Sequence, residues 1–177
     1  MSDETQALDR MMARLADGDR SVFHDVFRAI EPPIARLADH LLKNEADALD
    51  ATQNALLKIF ERAPIDYDRA RPALPWVLAI AGWECRTLLR RRARNREFAI
   101  PHDPVAEEDT PETILDRRAL VEATLEAIDG LREIDRETIF AIYEDAEPAI
   151  HPAAFRKRKE RARTRLRERL RRLYGFD

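Results

Sequence analysis

Between Arg86 and Arg96 the chain places six arginines and no acid; between Arg156 and Arg172 it places eleven lysines and arginines against two glutamates. These are the residues whose type and spacing could do chemistry, and that chemistry is recognition of a polyanion. A guanidinium is planar, permanently charged, and matched both to phosphate oxygens and to the edge of guanine. The remainder holds 14 basic residues against 32 acidic ones, so the net charge of -3 conceals two positive surfaces on an acidic body. Like charges at i and i+4 repel unless an anion neutralises them. The plain alternative for the first run is a solvated helix end, where cations are favourable. For the second it is a basic tail helix, or one that pairs with an acidic partner.

Catalytic chemistry finds little support. His24, His40, His102 and His151 are dispersed, and none has a metal-ligand partner at helical spacing. Cys85 is the only cysteine, which excludes an internal disulfide and a CxxC zinc site, and its place on an apolar stripe reads as a core thiol. No Gly-rich phosphate loop, HExxH or GxSxG occurs. No metal or cofactor is expected, and no enzyme activity. Trp76 and Trp83, seven apart, share a helix face. Trp76 falls within the apolar stripe and reads as core. Trp83, one turn before the Arg run, either stacks on an unpaired base or packs against a neighbouring helix.

The elements that must position these residues read as helices throughout. The chain has 177 residues, 45% hydrophobic and 37% charged, with only 4 Gly, which is too apolar for disorder and too Gly-poor for a turn-rich β protein. No stretch approaches 18 uncharged apolar residues, so no membrane insertion is expected, and MSDETQALDR is no secretory signal. A cytoplasmic location is the default expectation. A first helix around Gln6 to Ala16 ends at the turn Asp17-Gly18-Asp19. Val22, Phe23, Val26, Phe27 and Ile30 form the next stripe, which Pro32-Pro33 is expected to break before Ile34, Leu37 and Leu41. Leu49, Gln53, Leu56 and Phe60 mark another helix, and Pro64 to Pro72 a loop. The longest helix carries Leu74, Val77, Leu78, Ala81, Cys85 and Leu88 into the Arg run.

Residues 98–111 are acidic and Pro-containing, a linker that divides an all-α chain into modules 1–97 and 112–177. Thr110 before Pro111 has the form of an N-cap followed by a first-turn proline. The next helix carries Ile114, Val121, Leu125 and Ile128 and ends near Gly130. Asp135 is expected to cap a short helix through Ile139, Phe140 and Tyr143. After a break bracketed by Pro148 and Pro152, a final helix from about Ala153 to Leu173 carries a stripe of Phe155, Ala162, Leu166, Leu170 and Leu173. This makes the second module helix-turn-helix-like.

In this order the segments resemble bacterial RNA polymerase sigma factors of the small extracytoplasmic-function group. LADGDRSVFHDVF (Leu15 to Phe27) looks like that family's opening helix. DALDATQNALLKIF (Asp47 to Phe60) is similar to its polymerase-binding segment, where an Asp and a Gln three residues later share a helix. LPWVLAIAGWECRTLLRRRAR (Leu74 to Arg94) resembles the segment that melts and reads the promoter minus-ten element. AFRKRKERARTRLRERL (Ala154 to Leu170) resembles the recognition helix for the minus-thirty-five element. The resemblance implies a transcription initiation factor whose partners are core RNA polymerase, promoter DNA and an anti-sigma protein. It implies polymerase binding through Asp50, Gln53, Asn54 and Leu57. Minus-ten binding would fall to Tyr67, Arg69, Trp83, Arg86, Arg90 and Arg91. Upstream duplex binding would fall to His151, Arg156, Lys157, Arg158, Lys159 and Arg161. The pattern departs in Gly82-Trp83, where the family has Arg-Asn, in Leu49, Asn54 and Leu56, and in a second module that is short between Asp135 and Ile150. The rival reading is a sigma-like adaptor or decoy that captures an anti-sigma protein without reading promoters.

Overall fold

The computed structural model describes residues 3–98, 110–143 and 150–174, all-α, with no strand among them. Seven α-helices follow one another among these described residues: α1 (Asp3–Ala16), α2 (Phe23–Leu42), α3 (Glu45–Asp66), α4 (Ala73–Phe98), α5 (Pro111–Asp129), α6 (Glu133–Tyr143) and α7 (Pro152–Tyr174). The linker between α4 and α5 and the Pro148 side of the expected break lie outside the described residues.

Local chemistry sets most boundaries. Gly18 takes φ +86, where a side chain would be strained, and turns the chain out of α1. Asp19 then accepts from the Ser21 amide at 2.9 Å and from Arg14 at 2.7 Å. Hydrogen bonds from the Ser21 hydroxyl and from Arg14 hold its carboxyl down at about 2. Lys43 in the left-handed region ends α2, and Asn44 caps α3 by accepting from the Asp47 amide at 3.0 Å. Thr110 accepts from the Thr113 amide at 3.2 Å, with Pro111 at the first helical position, as the sequence predicts.

Two expectations about proline are corrected. Pro32 and Pro33 lie inside α2, which runs unbroken to Leu42. Each removes a backbone donor and costs about 3 kcal/mol in a helix interior. Val26, Ile30, Ile34, Ala38 and Leu42 are all buried along one stripe, and burying large aliphatic side chains stabilises by about 1.5–3 kcal/mol each. The stripe outweighs the two prolines. Pro64 likewise sits within α3, which continues to Asp66, so the connection to α4 starts at Tyr67. There the Tyr67 hydroxyl donates to the Arg71 carbonyl at 2.8 Å and its ring lies tilted against Trp76, centroids 5.3 Å apart. The first amide of α4, at Ala73, donates to Asp9 of α1 at 2.7 Å, a cap supplied from another helix.

The main core joins α1 to α4 through Met12, Val26, Ile30, Ile34, Ile59, Trp76 and Val77. Beside it Ala38, Leu42, Ala48, Ala51, Cys85 and Leu88 close the other end of the α2–α3–α4 group. Burial pushes the Cys85 thiol up to about 12, in keeping with a core thiol. Helix α5 lies on α4, and its Val121 and Leu125 join the main core. Leu131, Ile139 and Ala162 pack α6 against α7.

Asp135 does not cap α6, because the helix begins two residues earlier at Glu133. It is buried instead and holds Arg132 at 2.9 Å and Arg165 at 2.8 Å. Burial alone would push its carboxyl up, but the hydrogen bonds from Arg132 and Arg165 prevail and hold it below the ordinary range. A depressed pKa contributes stability above the unfolded value, near 3.9, and loses it as pH falls through the folded value. Asp135→Asn is therefore expected to be less stable than wild type at about pH 7, with the gap smaller at about pH 3. Urea denaturation at the two pH values checks this, and a gap unchanged between them would refute the ion pairing.

Candidate protein-docking and nucleic-acid interface

Helix α3 turns Ala48, Ala51, Thr52, Ala55 and Ile59 inward, which leaves the opposite arc in solvent. Asp50, Gln53, Asn54 and Leu57 all fall on that exposed arc. Leu57 is 62% exposed and Leu49 is 58% exposed, far more apolar surface than a solvated helix face needs. Ile65 extends the arc toward the end of the helix. Phe23 of α2, itself exposed, stacks on Phe60 at 4.0 Å and 22°, adding an aromatic edge. Phe23 and Ile65 were not legible as candidates from the sequence, since Phe23 falls within an apolar stripe that reads as core and Ile65 within the segment read as a loop. The arc offers apolar anchors with polar groups between them, which suits a protein surface.

The candidate minus-ten residues divide. Trp83 is 6% exposed and Tyr67 is 5% exposed, so neither offers a free ring to a base. For Trp83 the packing alternative holds. Burial, followed by the nearby Asp9 and Asp68 charges, pushes the Tyr67 hydroxyl up to about 12. Arg69 is on the surface and pairs with Asp17 of the α1–α2 turn at 2.5 Å. Arg90 is exposed, while Arg86 and Arg91 are half-buried. Arg92 pairs with the buried Asp47, tying the Arg run back to the start of α3. Arg71, which the sequence left unmarked, pairs with Glu122 of α5 at 3.0 Å.

Helix α7 carries its cations on all sides, and packing sorts them. His151 caps the helix, its Nδ1 accepting from the Ala153 amide at 3.3 Å. Arg158 donates to the Ile134 carbonyl at 2.8 Å and pairs with Glu137, so it braces α6. Arg165 is held by Asp135, and the Arg169 guanidinium lies directly over Gly130, where a Cβ would collide with it. Arg163 reaches the Tyr143 hydroxyl. Burial pushes the His40 imidazole of α2 down, and the charges of Arg163, Lys159, Lys43 and Arg167 push the same way. Arg156, Lys157, Arg161, Arg167, Arg171 and Arg172 remain exposed. The outward face of α7 is thus basic, but it carries roughly half of the charge that composition assigns to the helix.

Residues 26–95 match the family model described as Sigma-70 region 2. They span α2 through most of α4, including the exposed arc of α3 and the Arg run. No curated protein matches the chain. The match covers less than half of the chain and is a likeness of this segment to the Sigma-70 region 2 family. Among the described residues, no helix is long and apolar enough to cross a membrane.

Proposed function

We propose that this chain is a sigma factor of the extracytoplasmic-function type that docks on core RNA polymerase through α3 and directs it to promoters. The observation that carries the reading is the exposed arc of Leu49, Asp50, Gln53, Asn54 and Leu57 within the segment similar to sigma-70 region 2. Arg69, Arg86, Arg90 and Arg91 hold the minus-ten strand through its phosphates. Arg156, Lys157 and Arg161 on the outward face of α7 contact the upstream duplex, where a helix can enter the major groove. An anti-sigma protein would compete for the α3 arc. Run-off transcription with purified core polymerase tests the reading: initiation from a promoter supports it, and polymerase binding without initiation favours the adaptor.

The division of α7 gives a second test. Replacing Arg156, Lys157 or Arg161 by Ala is expected to reduce the salt slope of duplex binding by about one unit or less each. Arg165→Ala is expected to leave the slope unchanged and to lower the denaturation midpoint, because its guanidinium is occupied by Asp135. Binding measured over a salt series checks both, and a slope that falls equally for all four would refute the division.

A further inference from the structure

We infer that the cavity beside Pro32 and Pro33 of α2 is a binding site for a small aliphatic zwitterion, an α-amino acid being the simplest. The two prolines serve neither the docking arc nor the basic surfaces. Having no N–H, they deprive the carbonyls of Arg28 and Ala29 of the helix donors four residues on. A carbonyl stripped in this way costs free energy unless another donor reaches it, and more so away from water. Pro33 is buried and Ala29 half-buried, so the Ala29 carbonyl is partly shielded from solvent.

Arg28, Ala29, Pro32 and Pro33 all line one cavity of about 530 Å³, within the range of about 300–1,000 Å³ usual for small-molecule sites. Its other walls define the chemistry of the occupant. Leu8 and Met11 of α1 and Leu74 of α4 supply an apolar surface that a branched aliphatic side chain can cover. On the α2 wall the two carbonyls and the Asp25 carboxylate are acceptors, which suits an ammonium group, with three donors and no acceptor. A guanidinium for a carboxylate comes from Arg28, since Arg36, the other arginine at the cavity, already donates to the Tyr143 carbonyl. A simple amine would leave Arg28 unanswered, and a simple carboxylate would leave the carbonyls without donors. A zwitterion with an aliphatic body answers all three walls. Neither the α3 docking residues nor the arginines from Arg86 onward line the cavity, so the site is separate from both interfaces.

The probe is L-leucine, titrated into the full chain and followed by isothermal calorimetry and by amide shifts in NMR spectra. Saturable binding is expected, with shifts at Leu8, Met11, Ala29 and Leu74. The analogue 4-methylpentanoate, which lacks the ammonium, is expected to bind about tenfold or more weakly, because the carbonyls lose their donor. Leucinamide lacks the carboxylate, so R28Q is expected to weaken leucine and to leave leucinamide affinity unchanged. P32A/P33A returns both helix donors to the Arg28 and Ala29 carbonyls. It is expected to resist urea at least as well as wild type while leucine affinity falls about tenfold or more. Should P32A/P33A lose stability instead, the paired titrations of R28Q decide. No saturable binding up to about 10 mM leucine, or shifts confined to other helices, would overturn the site. So would undiminished leucine affinity in a stable P32A/P33A, equal binding of 4-methylpentanoate, or equal losses of leucine and leucinamide in R28Q.

Discussion

Leu57→Arg is expected to weaken binding to core RNA polymerase by about a hundredfold or more, with helix content unchanged. Leu57 is 62% exposed and near the middle of the α3 arc, so the substitution removes no packing from the fold. A central apolar anchor in a protein interface commonly contributes roughly 2 kcal/mol or more, and burying an unpaired guanidinium in its place adds a further penalty. Together these exceed the ~2.7 kcal/mol that a hundredfold change requires. Asp50→Ala and Gln53→Ala remove polar contacts beside it and should cost less. Fluorescence anisotropy with labelled chain and titrated core polymerase measures the loss. Affinity within about threefold of wild type, under 1 kcal/mol on the ~1.4 kcal/mol per tenfold scale, would place polymerase docking elsewhere on the molecule.

Trp83→Ala is expected to destabilise the fold by about 3–5 kcal/mol and to leave DNA affinity per folded molecule unaltered. At 6% exposure the indole is packed, so truncation leaves a cavity that the surrounding helices can only partly close. Against a typical total of about 5–15 kcal/mol the loss is large, and a substantial unfolded fraction is expected at physiological temperature. Urea denaturation gives the first quantity, and a salt-matched DNA titration corrected for folded fraction gives the second. A base-stacking Trp83 would show the reverse: normal stability with weakened single-strand binding.

Helix positions were legible because each depends on local chemistry. Apolar residues at three- and four-residue spacing put one stripe on a helix whatever surrounds it. Thr110-Pro111 caps α5 through atoms of its own first turn, and Gly18 turns the chain by its own backbone freedom. The segregation of charge into the two Arg-rich runs needs no fold at all. Asp50, Gln53, Asn54 and Leu57 were singled out through the family resemblance, and the structure leaves all four exposed on α3.

What escaped the sequence depends on neighbours distant along the chain. Pro32-Pro33 reads locally as a break, and only the continuous burial from Val26 to Leu42 overrides it. Asp135 reads as a cap, but its partner Arg165 stands 30 residues away. Helix α4 takes its N-terminal cap from Asp9, 64 residues earlier. Trp83 lies beside a basic run and gives no local sign of which way it faces; packing turns it inward. Helix α7 is the plainest case. Its eleven cations are equivalent in composition. Glu137 and Asp135 of α6, with Tyr143 and Gly130, decide which guanidinium groups brace the protein and which are left for a polyanion. Charge density is a property of the chain, whereas its availability depends on which opposite charges and carbonyls the tertiary fold brings within hydrogen-bond reach.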